Sequence, residues 1–106
     1  MSKTTHHSSL ITNMIIGILT ITLAIPGADS LKDKRQVVKS LLENVRNKFN
    51  VSAAEVDDND TWRRATLGVS CVSNDRGVAN RILDKVVDYV ESNPVISLVS
   101  IDLEFI

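Results

Sequence analysis

Cysteine, histidine and aromatic residues are nearly missing from this 106-residue sequence, and each shortage removes a class of chemistry. The lone cysteine, Cys71, allows no disulfide within the chain and no all-cysteine zinc or iron–sulfur site. Both histidines, His6 and His7, fall at the very start, so a Ser–His or Cys–His nucleophile pair is not expected in the body of a fold. Aromatic residues make up 4% of the chain, with Trp62 as the single tryptophan, which leaves little for stacking platforms. An excess of either charge is also lacking. The formal net charge of −1 gives no overall field to gather nucleic acid or an anionic membrane. Neither a P-loop nor a dinucleotide fingerprint occurs. The expectation is a protein without catalytic residues, cofactor or metal, and with no recognisable small-molecule ligand.

What is present reads as one ordinary globular domain. Hydrophobic residues account for 43% and charged residues for 24%, enough for a single core. Charge is unevenly spread: residues 1–49 hold seven Lys/Arg against three Asp/Glu, and residues 50–106 hold five against ten. A basic patch is therefore hidden by the near-neutral total. The first thirty residues imitate a secretory leader, with a polar start holding Lys3, an apolar run from Met14 to Pro26, and small Gly27-Ala28 at the cut. Ile and Thr dominate that run and alternate, so it reads instead as a β-strand, and it is too short to span a bilayer. Residues 1–13 read as a flexible extension, and 14–106 as the domain. A reduced thiol in an apolar run, Leu67-Gly-Val-Ser-Cys-Val72, suits a cytoplasmic setting.

The periodicity predicts a first strand over Met14–Ile25, ended by Pro26-Gly27. A helix then starts at Ser30 as N-cap, with Asp33 as a short capping-box partner, and runs to about Asn50, a residue tolerant of left-handed geometry. Leu31, Val38, Leu41, Leu42, Val45 and Phe49 form its apolar stripe. Strands are expected at Val51–Val56, Ala65–Val72 and Ile96–Phe105, with a second helix over Arg76–Glu91 striped by Val78, Ile82, Leu83, Val86, Val87 and Val90. The order βαββαβ points to an α/β (α+β) ferredoxin-like fold: a four-stranded antiparallel sheet with two helices on one face. The first and third strands are expected at its centre.

Several stretches resemble the bacterial YlxP-like family, a domain of unknown function. They are Met14-Ile-Ile-Gly17, Ser30-Leu-Lys-Asp-Lys-Arg35, Phe49-Asn-Val-Ser52 with Glu55-Val56, and Asp60-x-Trp62-x-Arg64-Ala65 leading to Leu67-Gly68. The likeness covers nearly all of residues 14–106. It implies a ferredoxin-like fold and supplies no activity. YlxP-like proteins are encoded alongside translation and ribosome-maturation factors in some bacteria, which implies an RNA- or ribosome-related role. Asp29 stands where the family often has His, and Arg63 where Gln is frequent, so a function leaning on that His is not expected here.

Two contact surfaces stand out. Lys32, Lys34, Arg35 and Lys39 are read as lying off the stripe of the first helix, where they could bind phosphates, with Trp62 and Arg63 or Arg64 available for stacking. Trp62 is open to two readings, a plug at one end of the core or a surface ring. The open sheet face is expected to carry Ile16, Ile18, Val72, Ile96 and Leu98, a half-apolar surface suited to a homodimer. Its central positions Thr20, Thr22, Thr66, Gly68 and Ser70 offer no aromatic platform for RNA. A carboxylate pair at Glu55 and Asp57 could share one strand face. Asp57-Asp-Asn-Asp60 imitates a calcium loop, but Trp62 and Gly68 stand where that loop needs Gly and Glu.

Overall fold

Ile15–Ala24 forms β1, and its strict alternation decides which way the sheet faces. Leu19, Ile21 and Leu23 are fully buried while Ile18, Thr20 and Thr22 stay half-buried, as a sheet covered on one side requires. The apolar run that imitates a leader is thus a central strand. The computed structural model describes residues 13–106. The extension read over residues 1–13, with both histidines, lies outside them except for Asn13.

The remaining elements are α1 (Leu31–Lys48), β2 (Ser52–Asp57), β3 (Arg64–Ser73), α2 (Arg76–Glu91) and β4 (Ser97–Phe105). The strands are antiparallel in the order β2-β3-β1-β4. This is the ferredoxin-like α+β arrangement the pattern implies. Both helices pack on the face that carries Leu19, Ile21, Leu23, Leu67 and Val69, α1 over β2 and α2 over β1 and β3. The core is sealed by Val38, Leu41 and Val45 of α1 and Ala79, Leu83, Val86 and Val90 of α2. No helix among the described residues is long and apolar enough to cross a membrane.

Helix ends follow local chemistry. The Ser30 hydroxyl accepts the Asp33 N–H at 3.0 Å, and the Asp33 carboxylate reaches back to the N–H of Asp29, one residue earlier than a full capping box would use. Asp75 caps α2 by accepting the N–H groups of Gly77 and Val78. At the other end of α1, Phe49 closes the helix in extended geometry with its N–H on the Val45 carbonyl. Among the described non-glycine residues the left-handed conformation belongs to Asp58, not to Asn50.

Gly17 has a steric reason. A Cβ there would stand 2.7 Å from Leu83 Cδ1 and 3.4 Å from the Phe105 ring, so the glycine lets α2 settle onto the sheet. Two irregularities redirect side chains. One lies in β2 between Glu55 and Asp57. The other lies in β4, where Leu23 pairs with Leu98 but Thr22 pairs with Ser100, leaving Val99 as the extra residue of a bulge.

Candidate functional site

The β2–β3 loop carries Trp62, and its shape is set by a lysine from the helix. Lys34 is fully buried. Its ammonium sits 2.6 Å from Glu55 Oε2 and donates to the carbonyls of Asp58 at 2.6 Å and Asn59 at 3.3 Å. Three oxygens thus surround the buried ammonium, two as hydrogen-bond acceptors and one as its ion-pair counter-charge. The expectation of Lys34 as a phosphate ligand is corrected: the side chain is turned inward and consumed by the loop. Glu55 Oε2 is itself buried and accepts no hydrogen bond among the described residues, so the Lys34 ammonium meets it as an ion pair alone.

Asp58 adopts φ of 61°, a strained choice for a residue with a Cβ. Its surroundings fix it there. The Asp58 N–H donates to Asp57 Oδ1 at 2.8 Å, and its own Oδ2 accepts from Thr66 Oγ1 at 2.6 Å and from Arg64 Nε at 3.3 Å. With Lys34 on the carbonyl, the residue is held by every polar group it has. The acidic loop is therefore spent on its own architecture. Glu55 and Asp57 do not form a catalytic pair, because the irregularity between them leaves Glu55 on Lys34 and Asp57 on the turn.

Beyond Asp58 the loop touches the start of α1 on both sides of Trp62. Arg35 Nη2 lies 3.8 Å from Asp60 Oδ1. Arg63 Nε donates to the Ala28 carbonyl at 2.8 Å, and its Nη2 stands 3.7 Å from Asp29 Oδ1. Between these contacts Trp62 remains 53% exposed, a surface ring and not a core plug. Lys32, Arg35 and Lys39 are exposed on α1 and share one side of it by their spacing of three and four. Arg63 offers only part of its guanidinium. Arg64 pairs with Ala24 at the end of the open sheet face and leans on Asp58, so it is not grouped with the residues of α1.

The open sheet face differs from expectation in its β4 side chains. Ile16, Ile18 and Val72 are there, with Val72 63% exposed. Ile96 and Leu98 are not: both pack against the core, and Leu98 lies beside the buried Leu23. The bulge at Val99 is the physical reason, since the extra residue switches the faces on either side of it. Ser100, Asp102 and Glu104 take the open face instead, beside Thr22, Thr20 and Ile18. Thr20, Thr22, Thr66, Gly68 and Ser70 line its middle, which leaves no stacking aromatic.

The sequence reading also missed a groove of about 370 Å³ at the far end of β1, lined by Ile25, Pro26, Ala28, Val37, Pro94 and Val95 among others. Its one carboxylate, Asp33, is already engaged by the Asp29 N–H. Cys71 is buried in the core, where desolvation pushes its thiol pKa up, partly offset by the Gly17 N–H. That is an inert setting.

Residues 16–103 match the profile of the family described as "Protein of unknown function (DUF503)". The chain is also 40% identical over 80 residues to "Uncharacterized protein YlxP" of Bacillus subtilis (strain 168), an alignment covering 76% of this chain and 87% of that protein. A profile match across most of the domain, joined to that degree of identity, leaves one assignment: the chain belongs to the DUF503 family, among the YlxP-like proteins.

Proposed function

We propose that this protein is a non-enzymatic binding module of the bacterial cytoplasm that engages single-stranded RNA, including exposed segments of ribosomal RNA. The reading rests on one observation. The Arg35–Asp60 contact brings the loop of the half-exposed Trp62 against the exposed Lys32, Arg35 and Lys39 side of α1. A ring for an unstacked base beside cations for its phosphates is the minimum that sequence-tolerant single-strand binding requires. The neighbouring Asp29 and Asp60 moderate the field, so affinity is expected to be modest and strongly salt-dependent.

Trp62 is the single tryptophan and therefore its own reporter. Titration with single-stranded RNA at low salt is expected to quench its emission. Three phosphate contacts give a log K against log [salt] slope of about −2. Lys32→Glu with Arg35→Glu is expected to abolish the response while leaving the fold intact. No quenching at low salt, or quenching indifferent to the double reversal, would rule the reading out.

A further inference from the structure

The open sheet face carries an apolar row that crosses three strands. Ile106 and Ile16 exchange both backbone hydrogen bonds, at 2.9 and 3.0 Å, so they stand side by side, and Ile16 pairs in turn with Val72. Ile18 lies one step further along the same face. Ile106 and Val72 are among the most exposed large hydrophobic residues described, at 68% and 63%. Val56 adds to the patch by folding over Gly68, whose missing side chain leaves a dent of about 390 Å³ lined by Ile16, Ile18, Ala54 and Val56.

We propose that this face is a homodimer interface, covered by the same face of a second copy. Three observations favour that occupant. First, area: strands of ten, ten, nine and six residues, at about 3.3 Å per residue and about 4.8 Å apart, present roughly 550 Å² in plan. A corrugated face of that size approaches the ~800 Å² per partner of a standard interface. Second, chemistry: apart from Arg64 at one corner, the paired positions of this face are aliphatic, hydroxyl or acidic. Such a surface repels phosphate and rejects nucleic acid.

Third, the face is complementary to itself. A two-fold axis running along the strands between β1 and β3 lays each β1 on the partner's β3, and each β4 on the partner's β2. The apolar row then meets the apolar row, Ile16 against Val72. Registered through Ile18 and Ser70, Glu104 lies in the row of Ser52, and Asp102 in that of Ala54. Each carboxylate thus faces a hydroxyl or a methyl group and never another carboxylate. Sheets stacked about 10 Å apart and rotated by about 30° interdigitate in this way. The isologous symmetry uses every contact twice.

Sedimentation velocity on the full chain, from about 1 µM to about 1 mM, tests the idea. The expected result is a dimer of twice the chain mass. Val72→Lys alters an exposed side chain, so it should leave the circular dichroism unchanged and weaken the dimer at least tenfold. Ile101→Lys, on the β4 edge and on the helix side of the sheet, should leave the dimer intact. A monomer across the whole range overturns the proposal. So does a dimer that survives Val72→Lys or is lost in folded Ile101→Lys.

Discussion

Lys34 Nζ and Glu55 Oε2 lie 2.6 Å apart beneath the β2–β3 loop, joining α1 to β2 through a lysine with no exposed side-chain surface. Removing one partner of a buried ion pair leaves the other desolvated and uncompensated, at a cost of about 3–5 kcal/mol. Lys34→Ala is expected to fall in that range, because the carbonyls of Asp58 and Asn59 lose their donor too. Lys34→Met with Glu55→Gln removes both charges and keeps most of the packing, so it should be milder than the sum of the single changes. Urea denaturation of the four proteins of that cycle measures the coupling. Additive effects would show that the pair is not coupled.

Gly17 carries the opposite expectation from a glycine in an ordinary strand. Substituting alanine for strand glycine normally stabilises, by limiting the unfolded chain and filling the surface. Here the new methyl would meet Leu83 Cδ1 at 2.7 Å, and Leu83 is itself fully buried. Gly17→Ala is expected to destabilise by about 1–3 kcal/mol through overpacking. Gly17→Val should do more. Thermal melts of both, beside Gly27→Ala, whose Cβ would meet nothing within 4 Å, separate the steric effect from backbone entropy.

The architecture was legible in the sequence because periodicity reports burial directly. β1 alternates, both helices repeat at three and four, and capping residues stand at Ser30 and Asp75. The site was less legible, for two physical reasons. Lys34 was assigned to the surface from its charge, although Leu31, Lys34, Val38, Leu41 and Val45 keep the spacing of the buried stripe. A lysine in that register signals a buried acceptor cluster, but the acceptors lie 21 to 25 positions away and two are backbone carbonyls. The β4 bulge left only a short signal. The apolar phase shifts at the doublet Leu98-Val99, from Ile96 and Leu98 to Ile101, Leu103 and Phe105, and pairing with β1 decides that Val99 is the extra residue. One inserted residue reverses every face before it, which moved Ile96 and Leu98 from the open side to the core.

Cys71 offers a prediction on pH. Burial disfavours its thiolate, so the folded protein holds the thiol proton more tightly than the unfolded chain does. Below the ordinary value of 9.0 both states are protonated and this residue contributes no pH dependence. As pH rises past 9.0 the unfolded chain ionises first, and stability falls until the raised folded value is passed. Cys71→Ala should be less stable at neutral pH, from the lost volume, yet lose less on going to alkaline pH. Urea midpoints at about pH 8 and about pH 10 give the comparison. Equal alkaline losses in the two proteins would show that another group governs that limb.

Trp62 separates stability from binding. With more than half of the ring exposed and no packing into the core cluster, its removal should change stability by less than about 0.5 kcal/mol. Its emission should lie near that of solvated indole and be readily quenched by iodide. Trp62→Phe keeps a ring for stacking and is expected to retain much of the RNA affinity. Trp62→Ala should lose about 1–3 kcal/mol of it, the measured range for one base on one aromatic. Because the Trp variants lack the native fluorophore, anisotropy of a labelled oligonucleotide serves for this series. The Lys34→Met change adds a further arm. It leaves Trp62 and the exposed cations in place but frees the Asp58 and Asn59 carbonyls that anchor the loop. If preorganisation of the ring contributes to affinity, Lys34→Met weakens binding although its side chain never reaches the surface. Unchanged binding in a folded Lys34→Met protein would mean that the loop needs no anchoring to present Trp62.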